Sequence, residues 1–125
     1  MRIVSVVLAF VVSLGCAAQT GVTEVWVSPS GTDVSNVTGE KESPFATLGQ
    51  ALLYVRQLRQ QKTPEELGEV HVVLRGGVYK LDGTLCLGYE DGGTLLSPTI
   101  IEAAQGEEPV LSGGVDVCGW QDAGN

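Results

Sequence analysis

Carboxylates are the most numerous ionisable side chains in this sequence. There are 15 Asp and Glu residues, and hydrolysis of a glycosidic bond uses two facing carboxylates about 5–10 Å apart. Most lie in polar, turn-like stretches, where acidic residues ordinarily face solvent. These include Glu65, Glu66, Asp82, Glu90, Asp91, Glu107, Glu108, Asp116 and Asp122. Glu107 and Glu108 are adjacent, and adjacent strand residues point to opposite faces. The sequence therefore assigns no catalytic pair.

Acidic loop residues could also supply oxygen ligands to calcium, and Asp82, Glu90 and Asp91 are the candidates. Their spacing does not match an EF-hand loop. The chain has one His, and its Cys and His residues show no zinc-type spacing. We therefore assign no metal or other cofactor, and calcium stays open as an alternative.

Three residues could contact a sugar. Trp26 and Trp120 offer aromatic faces for stacking, and Arg75 could clamp a hydroxyl or a uronate carboxylate. The alternative for each is structural, with packed indoles and with Arg75 bonded to backbone carbonyls or to a loop acid. His71 lies in an alternating apolar stretch, where the sequence identifies no partner for general-base catalysis, so we expect a structural His.

The first 18 residues have the order of a secretory signal. Arg2 precedes an apolar stretch, small residues follow, and cleavage is predicted between Ala18 and Gln19. The stretch is too short to span a membrane. A lipid anchor on Cys16 is the alternative. We expect a secreted, periplasmic or cell-surface protein, in which Asn36 is a glycosylation site if the host glycosylates.

Export leaves two cysteines in the mature chain. Cys86 and Cys118 could form a disulfide in an oxidising compartment. The alternative is that both are small buried residues.

The overall charge excludes some classes of partner. The chain has 7 basic and 15 acidic residues, a net charge of −8. Such a surface repels nucleic acid and acidic lipids. The remaining length suits one small domain.

The elements that would position these residues are short strands and one helix. Apolar spacing predicts a helix over residues 44–61, with Ser43 as N-cap, and its late basic residues would complement the helix dipole. Strands are predicted at 22–27, 70–74, 78–81, 84–87, 99–103 and 109–111, with a loop at 88–97.

An ordered set of phrases resembles a known family. They lie at 28–33 (SPSGTD), 44–48 (PFATL), 73–79 (VLRGGVY), 106–114 (GEEPVLSGG) and 119–120 (GW). Together they resemble the N-terminal cap and first coils of secreted right-handed parallel β-helix proteins. This pectate-lyase-like group includes glycoside hydrolases and lyases that act on polysaccharides. The resemblance covers residues 24–120 and contains none of the family's catalytic motifs.

The resemblance implies a mainly β fold in which the amphipathic helix caps the first coil. We expect residues 19–125 to be an incomplete β-helix domain of a longer polysaccharide-degrading enzyme, inactive alone because its catalytic residues lie on later coils. One alternative is a stand-alone secreted module that presents Trp26, Trp120 or the 88–97 loop to a glycan. Another is a truncated reading frame without function.

Overall fold

The computed structural model describes residues 21–34 and 38–124. The predicted signal segment with its Ala18–Gln19 cleavage point, the Cys16 anchor and Asn36 lie outside this range. Its strands are β1 Val22–Val27, β2 Glu69–Leu74, β3 Gly77–Lys80, β4 Thr99–Ala103 and β5 Pro109–Ser112. Its helices are α1 Leu48–Gln61, α2 Pro64–Leu67 and α3 Tyr89–Gly92. Within the described ranges, no helix is long and apolar enough to cross a membrane.

The strands form two parallel sheets. One has the order β1-β2-β4 and the other pairs β3 with β5. The register places Val25 opposite Val72 and Val72 opposite Ile101, so apolar residues of successive strands form a column. Parallel neighbours require a long connection between them, so each strand pairs with one from an earlier pass of the chain. The described chain is mixed α and β rather than mainly β.

Helix α1 covers the inner face of β1 and β2. Its buried side chains recur three and four residues apart, as the sequence predicts; they are Leu48, Ala51, Leu52, Val55 and Leu58. They share one core cluster with Val25, Val27, Val70 and Val72, all of which are fully buried. Burying an aliphatic side chain of this size contributes about 1.5–3 kcal/mol. This helix–sheet contact is therefore the main hydrophobic core.

The helix begins later than the sequence predicts. Thr47, not Ser43, is the N-cap, because Phe45 is extended and pairs with the end of β1. The Phe45 N–H donates to the Trp26 carbonyl, and the Phe45 carbonyl accepts from the N–H of Ser28, which directly follows β1. Asp33 holds this junction: its Oδ1 accepts from the Thr47 N–H at 3.2 Å and its Oδ2 from the Thr47 hydroxyl at 2.7 Å. Residues 28–33 and 44–48, the first two segments that carry the family resemblance, therefore form one capping structure.

The chain between β3 and β4 also differs from the prediction. Residues 84–87 are not a strand, because they have no ladder partner among the described residues. The predicted 88–97 loop contains the one-turn helix α3, where the Asp91 carboxylate accepts from the Gly88 N–H at 2.7 Å.

Two arginines of α1 hold this segment through side-chain contacts, and Arg59 lies in the last turn of the helix, where the sequence predicts a complement to the helix dipole. Arg56 makes a bidentate pair with Asp91, at 2.7 and 2.8 Å. Arg59 donates to the Ser97 and Thr99 hydroxyls, at 3.0 and 2.7 Å. The hydrogen bonds from Arg56 lower the pKa of Asp91. The helix is therefore tied by side chains to α3 and to the start of β4.

Two glycines provide a matched test of the capping junction. A Cβ on Gly31 would lie 2.4 Å from the Phe45 carbonyl oxygen, whereas one on Gly49 would meet nothing within 4 Å. We expect Gly31→Ala to lower the free energy of unfolding by more than about 1 kcal/mol, and Gly49→Ala to raise it by up to about 1 kcal/mol. Urea denaturation measures both, and equal effects would contradict this account.

The Arg56–Asp91 pair should make stability depend on pH. Because the pKa of Asp91 is lowered in the folded state, its contribution is present above the ordinary carboxyl pKa of about 4 and is lost as pH falls through the folded value. We expect Asp91→Asn to be less stable than wild type at pH 7, with a difference that shrinks toward pH 2. Asp122→Asn, the same change at an exposed residue far from Arg56 in sequence, is the control. A difference independent of pH would contradict the charge pairing.

Candidate functional site

The outer face of the three-stranded sheet carries a polar surface. Side chains alternate along a strand, so the chain neighbours of the inward-facing Val25 and Val72 lie on the opposite face of the sheet. The residues on this face are Glu24 and Trp26 on β1, Glu69 and His71 on β2, and Ile100 and Glu102 on β4, together with the buried Val73 of β2. We call this surface, together with Lys41 and Arg75 at its edge, the outer sheet face. It gathers residues from four separate stretches of the chain.

Trp26 is the aromatic centre of this face. The Lys41 Nζ lies 5.1 Å from the indole centroid and the Arg75 Cζ lies 5.5 Å from it, both within range for cation–π attraction. The indole N–H donates to the Glu24 carboxylate at 3.0 Å. Arg75 also donates to the backbone carbonyl of Lys41 at 2.9 Å, which joins the two cations. The half-buried indole is therefore held in one orientation.

His71 has two carboxylate partners that the sequence did not reveal. Its Nδ1 lies 2.6 Å from the Glu102 carboxylate and its Nε2 lies 3.3 Å from that of Glu69. Hydrogen bonding to Glu102, and then to Glu69, raises the pKa of His71 above its ordinary value. Glu102 is the diagonal neighbour of His71 on the next strand. Only the β2–β4 register could have identified it.

This geometry suits a polyhydroxylated ligand. Carboxylates accept from sugar hydroxyls, cations donate to them, and an aromatic ring packs against the C–H face of a sugar. Glu69 and Glu102 stand on opposite edges of one imidazole ring.

The structure brings together some of the sequence candidates and separates others. Trp26 and Arg75 meet, and Lys41 is a partner that the sequence did not indicate. Trp120 lies in the segment after β5, where its side chain is 85% exposed. Asp91, one of the three residues considered for calcium, is buried and forms an ion pair with Arg56. Within the described ranges, no three His, Cys, Asp or Glu residues are placed to hold a metal ion.

Cys86 and Cys118 are free and exposed. Neither the disulfide nor the burial that the sequence left open is therefore present in the structure. Both cysteines lie outside the strands and helices.

Comparison with known proteins gives one informative match. No protein-family model matches the chain, and neither does any curated protein. A solved structure named "Glycoside hydrolase" aligns with a TM-score of 0.71 and 37% sequence identity over 82% of this chain. The chain spans 17% of the length of that protein. A glycoside hydrolase therefore contains a segment with this fold and a related sequence.

The pKa of His71 offers a direct test of the site geometry. We expect it to lie above the ordinary value of about 6.5, and to fall more in Glu102→Gln than in Glu69→Gln, because the Glu102 hydrogen bond is shorter. NMR titration of the imidazole measures all three. Glu24→Gln, which alters the carboxylate bonded to Trp26, is the control. An equal or larger shift in that control would contradict the arrangement.

Proposed function

We propose that this chain is the N-terminal part of an exported glycoside hydrolase that binds and degrades a polysaccharide. The single observation that supports this most is the 37% identity to a solved glycoside hydrolase over most of the chain. The activity belongs to the complete protein. The described segment contributes the start of its fold and one part of its binding surface.

The fold of the complete protein is, in this proposal, a right-handed parallel β-helix. Two features support it. The strands pair in parallel with strands from the previous pass of the chain, and both sheets extend in the same order, from β2 to β4 and from β3 to β5. Solenoids grow by such repeated stacking, with a cap over the first coil. Helix α1 is the cap in this proposal.

Further coils would stack on β4 and β5. Ile101 continues the buried column of Val25 and Val72 but is 40% exposed, and Leu111 next to the buried Tyr79 is 46% exposed. Apolar residues that continue a core column are ordinarily covered in a solenoid by the next repeat. The catalytic carboxylates would lie on those coils, and we assign no bond-breaking role to Glu69 or Glu102.

The outer sheet face would contact the polysaccharide, because the inner face is filled by α1. Trp26 supplies the apolar surface and Lys41, Arg75 and Glu24 supply hydrogen-bonding groups around it. A sheet that continues through later coils would extend this face into a long surface. Such a surface matches the extended form of a polysaccharide chain.

A secreted carbohydrate-binding module is the second candidate. It is favoured by the fact that the whole Trp26 cluster is built from described residues and requires no further coil. The two proposals differ in the size of the mature gene product and in whether that product cleaves the ligand.

The test of function is polysaccharide hydrolysis by the complete gene product. We expect release of reducing ends from at least one polysaccharide, and we expect Trp26→Ala to raise KM about tenfold with little change in kcat, since stacking acts equally on bound substrate and transition state. Trp120→Ala is the matched control and should leave KM unchanged.

Two outcomes would contradict this proposal. Binding without cleavage by a mature product no larger than this chain would favour the module instead. An unchanged KM in a folded Trp26→Ala variant would exclude the outer sheet face as a substrate contact.

A further inference from the structure

A cleft of about 520 Å³ lies where the last turns of α1 meet α2 and α3. We call it the helix-end cleft, and the side chains that matter to it are Arg56, Arg59, Lys62, Tyr89 and Glu90. None of the outer-face residues lines it. Its volume lies in the roughly 300–1,000 Å³ range of small-molecule sites.

The cleft concentrates positive charge in an acidic protein. Three of the chain's seven Lys and Arg residues line it, while the net charge is −8. Arg56 is already neutralised by Asp91, and Glu90 lies 3.8 Å from the same guanidinium. The other two cations of the cleft are Arg59 and Lys62. Within residues 21–34 and 38–124, neither forms an ion pair with a carboxylate.

Arg59 is the more unusual of the two cations. Its guanidinium is held only by the neutral hydroxyls of Ser97 and Thr99, and its Nε is buried without a hydrogen-bond partner in the described structure. Burial lowers the pKa of Arg59, because no anion offsets the loss of water. An anion in the cleft would supply that missing charge.

The rim of the cleft supplies an aromatic surface. The Tyr89 side chain is 95% exposed, although it lies beside the buried and ion-paired Asp91 on the same short helix. A tyrosine that packs against nothing is free to stack on a ligand ring. Pro64 also lines the cleft and adds apolar surface.

We propose that the helix-end cleft is a second saccharide site, which binds a sugar unit that carries an oxyanion such as a carboxylate or a sulfate. Lys62 and Arg59 attract the oxyanion, and Tyr89 packs on the ring. The choice of a sugar rests on the proposed function. The requirement for an anion rests on the charges of the cleft alone.

Isothermal titration calorimetry of the complete gene product tests this with D-glucuronate, D-glucose 6-sulfate and neutral D-glucose. We expect saturable binding of one or both charged sugars and at least tenfold weaker binding of glucose. Lys62→Gln and Tyr89→Ala should each weaken the charged sugar about tenfold, because a charge-assisted hydrogen bond or an aromatic contact is lost. Both side chains are exposed at the rim, so the fold should survive.

Lys80→Gln is the matched control, since Lys80 is an exposed lysine paired with Asp116 away from the cleft. Glucose binding as tight as glucuronate binding, or equal effects of Lys62→Gln and Lys80→Gln, would overturn the proposal. Trp26→Ala separates it from the proposed function. A raised KM for the polysaccharide without weaker glucuronate binding in that variant would show that the two sites are independent.

Discussion

Both the hydrophobic core and the outer sheet face depend on the in-register parallel pairing of β1, β2 and β4. This pairing aligns Val25, Val72 and Ile101 on one face and Glu24, His71 and Ile100 on the other. Since strand side chains alternate, a slip of one residue would exchange the buried and the exposed sets. The same register therefore builds the core under α1 and places the polar groups of the outer sheet face.

Parallel strands are joined by long connections, and polar contacts outside the sheet hold these connections in place. Asp33 fixes the chain between β1 and α1, and Arg56 with Asp91 fixes the chain between β3 and β4. A buried carboxylate such as that of Asp91 is costly unless it is hydrogen-bonded, and both of its oxygens accept hydrogen bonds. The Asp33 cap and the Arg56–Asp91 ion pair therefore fix two connecting segments that contain little regular secondary structure.

The two candidate sites use cations in different ways. On the outer sheet face, Lys41 and Arg75 lie over the Trp26 indole. The carboxylates of Glu69 and Glu102 bond instead to His71. In the helix-end cleft, the partners of Arg59 among the described residues are hydroxyl groups. Both arrangements leave positive charge available to a ligand in a protein that is acidic overall.

The sequence by itself determined the features that depend on local periodicity. Alternation in residues 22–27 and the three- and four-residue spacing in α1 correctly predicted a strand and the buried helix face. The tertiary structure decided where α1 begins, because Phe45 pairs with a distant strand, and it decided that residues 84–87 form no strand. It also paired His71 with Glu102 and Trp26 with Arg75. Such contacts follow from strand register between distant segments, and no local pattern encodes that register.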